Sequence, residues 1–248
     1  LFCFQARGGM RGLVVTGGQA SALPSYPASE RHDLPAEPQP FVEEIDFLLR
    51  TAGHFLQRPP QRSDIRSAFA GLRPLLHAKN SASKTASLSR EHAVLSSASG
   101  LLAVSGGKWT TYRLMAEQVV DRAAQIAGLT SVACPTAQLR LHGWIDGFDA
   151  TAYGCDAPLI EKLPGHNHRL HPALTLSEAE VRFAVRFEAA RTIEDVLARR
   201  SRALFLDASA AAECIAPVGR ILAEELGLDN LRLAAFEAQA ARSARHYL

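Results

Sequence analysis

Apolar residues recur at helical spacing between Phe41 and Leu56, at Val42, Ile45, Leu48, Leu49, Ala52 and Leu56. Glu43, Glu44 and Asp46 gather at the start, where the helix dipole favours carboxylates, so an amphipathic helix is expected there. A second stripe joins Tyr112, Met115, Val119, Ala123 and Ile126, opposite Arg113, Glu117, Asp121 and Gln125, and Gly128 stands where a left-handed cap belongs. This predicts a helix of about five turns. Shorter β-prone runs occupy residues 1–4 and 12–16, separated by Gly8-Gly9, and residues 92–95 and 101–104, separated by Ser97-Ala-Ser-Gly100; each pair reads as two strands joined by a turn. Residues 63–76 read as extended, because Pro74 biases Arg73 away from the helical region. Pro24, Pro27, Pro35, Pro38 and Pro40 make residues 20–40 a long surface loop, and residues 78–86 form a Ser/Lys-rich turn.

Beyond Gly128, a mixed stretch with Trp144, Gly147, Gly154 and Pro164 gives way to a tail rich in Ala, Arg, Glu and Leu. Ser177 followed by Glu180 is a capping box opening a helix through about residue 190. Thr192 with Asp195 marks another helix start. Helical period continues through Ile215, Val218, Ile221, Leu222 and Leu226, with Pro217 as a kink or break and Gly227 closing the element. Asp229 then caps a final helix through Ala240. The expected fold class is α+β: a mixed portion over residues 1–128 carrying a partial sheet, followed by an all-α domain over residues 129–248.

Composition narrows the function classes. The 248 residues are 47% hydrophobic and 21% charged, ample for a packed core. Lys and Arg number 27 against 25 Asp and Glu, so bulk charge drives no attraction to nucleic acid. The arginines between Arg182 and Arg202 alternate with Glu188, Glu194 and Asp195, which reads as a solvated helix face. No run approaches the ~20 apolar residues needed to cross a bilayer. Cys3, Cys134, Cys155 and Cys214 form no C-x-x-C pair, which argues against a metal site and a disulfide framework and for a reducing cytoplasm. The first residues, Leu1-Phe2-Cys3-Phe4, carry no targeting signature and read as the inside of a strand, so the chain is expected to begin in mid-domain.

Three segments could carry chemistry. Leu102 to Arg113 is a strand, then Gly106-Gly107-Lys108, then a helix opening with Trp109, Thr110 and Thr111. Glycines let a ligand approach the backbone, and the first helical N–H groups offer it the positive end of the dipole. It is not the nucleotide phosphate loop, which needs four residues between its glycines and Ser or Thr directly after Lys. A plain strand-to-helix turn capped by Thr110 is the other reading. In Gly71-Leu-Arg-Pro74, Arg73 could grip a phosphate or carboxylate through two parallel N–H bonds, or sit on the surface with its stem packed. In Ser89-Arg-Glu-His92, strand alternation places Arg90 and His92 on one face, and a solvated charge run is the plainer reading.

Taken together, these segments resemble the FAD-dependent glycerol-3-phosphate dehydrogenases and the related glycerophosphate oxidases. Glu44-Ile-Asp-Phe-Leu-Leu-Arg50, the Gly71 to Pro74 block, Ser89 to His92 and Ser105 to Arg113 look like successive blocks of that family's catalytic portion. Val181 to Glu188 and Arg191 to Arg200 are similar to its helical C-terminal domain. The resemblance implies an oxidoreductase fold whose substrate-side sheet precedes an all-α domain. It differs in two places: the G-x-G-x-x-G loop that holds the FAD pyrophosphate has no counterpart, and Gly12 to Gln19 departs from the Gly-Thr-Thr-Asp pattern expected there.

By the same resemblance, hydride passes from C2 of glycerol 3-phosphate to FAD, giving dihydroxyacetone phosphate, and electrons continue to quinone or oxygen. Gly106, Gly107, Trp109, Thr110 and Thr111 would face the flavin, the helix N-terminus stabilising the anionic reduced ring. Arg73 and Lys108 would be the catalytic cations that hold the substrate, Arg73 as a fork on the phosphate and Lys108 as a compact charge, with Arg90 a further substrate contact. No metal and no nucleic acid is implied. Quinone-linked members contact the membrane surface, so the expected location is cytoplasmic with peripheral contact at the inner face of the cell membrane. Lacking the pyrophosphate loop, the chain alone is expected not to retain FAD. The competing reading is a catalytically silent fragment whose helical tail is an interaction module.

Overall fold

The computed structural model describes residues 2–4, 13–15, 35–71, 92–146 and 152–248. In chain order the strands are β1 (Phe2–Phe4), β2 (Leu13–Val15), β3 (Ile65–Ala68), β4 (His92–Ser96) and β5 (Leu102–Gly106). The α-helices are α1 (Val42–Gly53), α2 (Tyr112–Ile126), α3 (Ala157–Glu161), α4 (Glu178–Phe187), α5 (Ala203–Leu206), α6 (Ala208–Glu213), α7 (Ile215–Leu226) and α8 (Asn230–Ala244). A π-helix, Asp195–Arg200, lies between α4 and α5. The α+β reading is met: the structure is rich in helix and carries small antiparallel sheets. The described residues fall into two compact units, one up to Gly71 and resuming at Ile145, the other from His92 to Trp144.

In the first unit the sheet order is β2-β1-β3, antiparallel throughout. Phe2 pairs with Val15 and Phe4 with Leu13 on one side. On the other, Phe2 pairs with Ala68 and Phe4 with Ile65, so β3 carries one extra residue as a bulge. The predicted strands at residues 1–4 and 12–16 are therefore present; the Gly8-Gly9 turn lies outside the described residues. Helix α1 begins where Glu44 accepts the Phe41 amide at 3.0 Å. It buries Leu49, around which Ile45, Leu48, Ile65 and Ala68 pack, so the middle of the stripe read from the sequence faces β3, while Val42 is exposed and Leu56 lies beyond the end of the helix.

The helices from α4 onward supply the core, with Val181, Ile193, Val196, Leu197, Leu204, Val218 and Leu222 almost fully buried. Ser177 and Glu180 exchange the two bonds of a capping box, from the Glu180 amide to the Ser177 hydroxyl at 3.2 Å and from the Ser177 amide to the Glu180 carboxylate at 2.6 Å. Asp229 accepts the Arg232 amide at 2.8 Å and so caps α8. Gly227 ends α7 at φ +64°. Pro217 is not the break point. The chain turns at Cys214, and Pro217 sits in the first turn of α7, where its missing N–H would have had no helical acceptor.

Thr192 and Asp195 form their expected reciprocal bonds, the Asp195 amide to the Thr192 hydroxyl at 3.1 Å and the Thr192 amide to the Asp195 carboxylate at 3.0 Å. The helix they open is π rather than α. It closes through the Val196 carbonyl, which accepts both the Ser201 amide at 2.9 Å, five residues on, and the Ser201 hydroxyl at 2.8 Å. That wider turn keeps Val196, Leu197 and Ala198 in the core while Arg199 reaches back to Glu194 and Asp195 and Arg200 to the Glu188 carbonyl.

The second unit is built differently. β4 and β5 form the expected antiparallel hairpin, with His92 opposite Gly106 and Ser96 opposite Leu102. Helix α2 follows a single 3-10 turn, Trp109–Thr111, and runs for 15 residues, about four turns. No residue of α2 is buried, and neither is any other described residue between His92 and Trp144. Of the stripe read as inward, Met115 and Val119 are half-buried while Tyr112, Ala123 and Ile126 are exposed.

Candidate functional site

Strand β5 delivers the chain into Gly106 at φ +78° and Gly107 at φ +82°, a left-handed pair that side chains rarely adopt. A Cβ added at Gly107 would lie 2.6 Å from the Met115 sulfur and 3.1 Å from the His92 Cβ. Gly107 is thus required by the packing of strand, turn and helix against one another, before any ligand is considered. His92 adds a second tie, its Nε2 lying 2.5 Å from the Gln118 Oε1 on α2.

The cap at the helix entrance is Thr111 rather than Thr110. Its hydroxyl donates to the Lys108 carbonyl at 2.9 Å and accepts the Lys108 amide at 3.3 Å, which locks Lys108 in extended backbone at the head of the turn. Lys108, Trp109 and Thr110 are all exposed. Trp109 is 86% exposed and its ring stacks on that of Tyr112, with centroids 5.5 Å apart. The tip therefore presents a cation and a flat aromatic face at a helix entrance whose 3-10 turn already takes up the Thr111 amide on the Lys108 carbonyl at 3.0 Å and the Tyr112 amide on the Trp109 carbonyl. Arg113, one turn on, is held by Glu117 at 2.6 Å and Thr136 at 3.3 Å. Of the residues read from the sequence, Gly106, Gly107, Lys108, Trp109, Thr110 and Thr111 are brought together at this tip. Arg73 and Arg90 lie outside the described residues.

Sequence reasoning did not single out the joint between β3 and the helical core. Ser67, fully buried, donates its hydroxyl to the Leu204 carbonyl at 2.6 Å. Arg66 pairs with Asp207, and the Ala68 amide donates to the Tyr247 carbonyl at 3.0 Å. Phe69 meets Phe205 edge-on at 4.5 Å between centroids, and Phe205 meets Tyr247 edge-on at 5.1 Å. The only sequence signal was the extended run over residues 63–76, in which the polar Arg66 and Ser67 stand between Ile65 and Ala68.

Electrostatics within the helical core serve structure. Arg182 and Arg186 of α4 converge on Glu225 of α7 at 2.6–2.7 Å, and Arg182 also binds Glu224 at 2.7 Å. Arg186 above all, with Arg182, holds the Glu225 carboxyl below the usual carboxylate range. Burial pushes the Glu188 carboxyl up, and Asp156 adds to this against Arg200. Burial likewise pushes the Cys214 thiol up to about 11, so this cysteine is a packed hydrophobe rather than a nucleophile.

Residues 148–233 match the C-terminal domain of alpha-glycerophosphate oxidase. The chain is 37% identical over 226 residues to a probable mitochondrial glycerol-3-phosphate dehydrogenase of Caenorhabditis elegans, covering 79% of this chain and 31% of that protein. It is 35% identical over 187 residues to glycerol-3-phosphate dehydrogenase 1 of Mycobacterium bovis, covering 68% and 36%. The X-ray structure of the glycerol-3-phosphate dehydrogenase from Bacillus halodurans complexed with FAD superposes with a TM-score of 0.65 at 27% identity, covering 85% of this chain and 46% of that one. The chain spans about a third of the length of the curated relatives it matches.

Proposed function

We propose, from the premise that this chain belongs to the FAD-dependent glycerol-3-phosphate dehydrogenase family and matches its C-terminal portion, that it supplies substrate and flavin contacts for oxidation of glycerol 3-phosphate to dihydroxyacetone phosphate. Residues 1–128 would carry those contacts and residues 129–248 the helical domain. The observation that carries this reading is the tip at Gly106 to Thr111: a bare two-glycine turn, an exposed lysine and a helix entrance in one place.

The tip fits the edge of a flavin ring, which is planar and rich in hydrogen-bond acceptors. Gly106 and Gly107 carry no side chain to hold a ring off the backbone. Lys108, Trp109 and Thr110 are exposed, while Thr111 spends its hydroxyl on the Lys108 backbone. Bound FAD would supply the two-electron acceptor for the hydride leaving C2.

The protein's own part is charge and position. Lys108, with its backbone pinned on both sides by Thr111, would offer a compact charge for the substrate's anionic end. Arg73 would grip the phosphate as a fork, and Arg90 would add a second cation. The Trp109–Tyr112 stack would offer the ligand a flat apolar face. Electrons would leave for quinone or oxygen. Contact with a membrane would be peripheral. Among the described residues no helix is long and apolar enough to cross one. The free thiols Cys134, Cys155 and Cys214 support a reducing, cytoplasmic setting, although several relatives are mitochondrial.

The test is Arg73→Lys in the FAD-loaded natural protein. Losing fork geometry while keeping charge should raise KM for glycerol 3-phosphate about tenfold or more with FAD content unchanged. Unaltered Michaelis behaviour would rule out the phosphate role.

A further inference from the structure

The Gly106–Gly107 turn is gripped by two elements of its own unit. His92 of β4 stands opposite Gly106 in the hairpin register, and its Cβ lies 3.1 Å from where a Cβ on Gly107 would be. From α2, the sulfur and terminal methyl of Met115 stand 2.6 and 2.9 Å from the same point. Met115 also meets the next part of the turn, its sulfur 3.5 Å from the Thr111 hydroxyl that pins the Lys108 backbone.

A polar bond ties these two elements to each other. The His92 Nε2–H donates to the Gln118 Oε1 at 2.5 Å, and Gln118 follows Met115 by three residues, so both reach out from one face of α2. The spacing between β4 and α2 thus sets where Gly107, Lys108 and Thr111 stand relative to one another. No described residue between His92 and Trp144 is buried. Hairpin and helix therefore share no close-packed interior to fix that spacing, and a single directional bond carries more of it than it would inside a core.

We propose that His92 is a positioning residue for the Gly106 to Lys108 turn: bonded to Gln118, it sets the distance between strand and helix, and so the placement of Lys108 and the two glycines against their ligands. This rests on the reading of that turn as the flavin and substrate contact. Gln118 stands seven residues beyond Thr111, about 10 Å along the helix axis, so its influence on a ligand at the turn passes through His92.

The experiment uses the natural protein with His92→Ala, Gln118→Ala, Gln118→Glu and the double alanine variant. Both alanine changes remove the bond, and His92→Ala keeps the Cβ that meets Gly107. Gln118 is exposed, so its truncation leaves the fold standing. In protein stripped of FAD, each alanine change should speed tryptic cleavage after Lys108. Each should also weaken FAD rebinding by about three- to tenfold and raise KM for glycerol 3-phosphate in parallel. The double variant should be no worse than either single change, because all three lose the same bond. Gln118→Glu keeps an oxygen for the His92 N–H and should restore cleavage rate and affinity. A lowered melting temperature with cleavage at Lys108, FAD affinity and KM all unchanged would overturn the positioning role, as would additive losses in the double variant. Faster cleavage after Lys108 with FAD affinity and KM unchanged would instead overturn the reading of the turn as the ligand contact.

Discussion

Replacing Asp207 removes two interactions that can be separated by the choice of substitute. Its side chain accepts the Ala210 amide at 3.0 Å as the N-cap of α6, and its other oxygen pairs with Arg66 of β3. The residue is 9% exposed, so water replaces neither bond easily. A lost cap costs about 1 kcal/mol. The ion pair is worth about 1–2 kcal/mol once discounted for an Arg66 side chain that is 33% exposed. Asp207→Ala loses both and should destabilise by about 2–3 kcal/mol, whereas Asp207→Asn keeps an oxygen for the Ala210 amide and should lose about 1–2 kcal/mol. At about 2–4 °C per kcal/mol for a chain of this size, Asp207→Ala should melt about 5–10 °C lower. Thermal and urea unfolding of the three proteins measures this. Equal losses in the two variants would mean that the cap contributes nothing, and losses below about 0.5 kcal/mol in both would refute the joint as a stabilising contact.

Ala189 sits at φ +55° just beyond α4, exposed, with the Ala190 amide bonded back to the Ala184 carbonyl at 2.9 Å. Ala189→Gly should therefore stabilise by about 1 kcal/mol in urea unfolding, because glycine adopts that conformation without the Cβ penalty. Glu225 and Asp195 both titrate below their ordinary values of 4.5 and 3.8: Arg186 and Arg182 outweigh burial at Glu225, and at Asp195 burial is outweighed by the Arg191 and Thr192 amides, the Thr192 hydroxyl and Arg199. Depressed carboxylates contribute stability that is complete above those ordinary values and drains as pH falls through the folded-state ones. Unfolding free energy should thus drop below about pH 4.5, and less steeply in Glu225→Gln; an identical slope would contradict the assignment. Gly107→Ala should destabilise the protein even without FAD, and Met115→Ala in the same chain should relieve part of that loss; a Gly107→Ala protein of wild-type stability would refute the packing requirement.

Much of the architecture could be read from local patterns. The α1 stripe, the hairpin around residues 97–100, the Ser177 capping box and the Asp229 cap are encoded within a few residues, and each is found where the pattern places it. What escaped depends on contacts distant in sequence or on subtle geometry. Ser67 meets Leu204 across 137 residues, which no periodicity announces. The π-helix begins with the same Thr-x-x-Asp signature as an α-helix and departs only when the Val196 carbonyl takes Ser201. In α2 the apolar stripe was legible but its burial was not, because the stripe records what a helix can cover rather than what covers it. At the candidate site, the strand, glycines and helix entrance around Lys108 could be read directly. The choice of Thr111 over Thr110 as cap depends on which hydroxyl the 3-10 turn folds back onto Lys108.

We propose that the tip at Gly106 to Thr111 and the arginine at position 73 serve one substrate and one cofactor. The most direct test is the anaerobic absorbance of the FAD-loaded natural protein on addition of glycerol 3-phosphate. Wild-type flavin should bleach at low substrate concentration, while Arg73→Lys and Lys108→Ala should each need at least about tenfold more. Bleaching at the same concentration in all three proteins, or none in the wild type, would contradict the account.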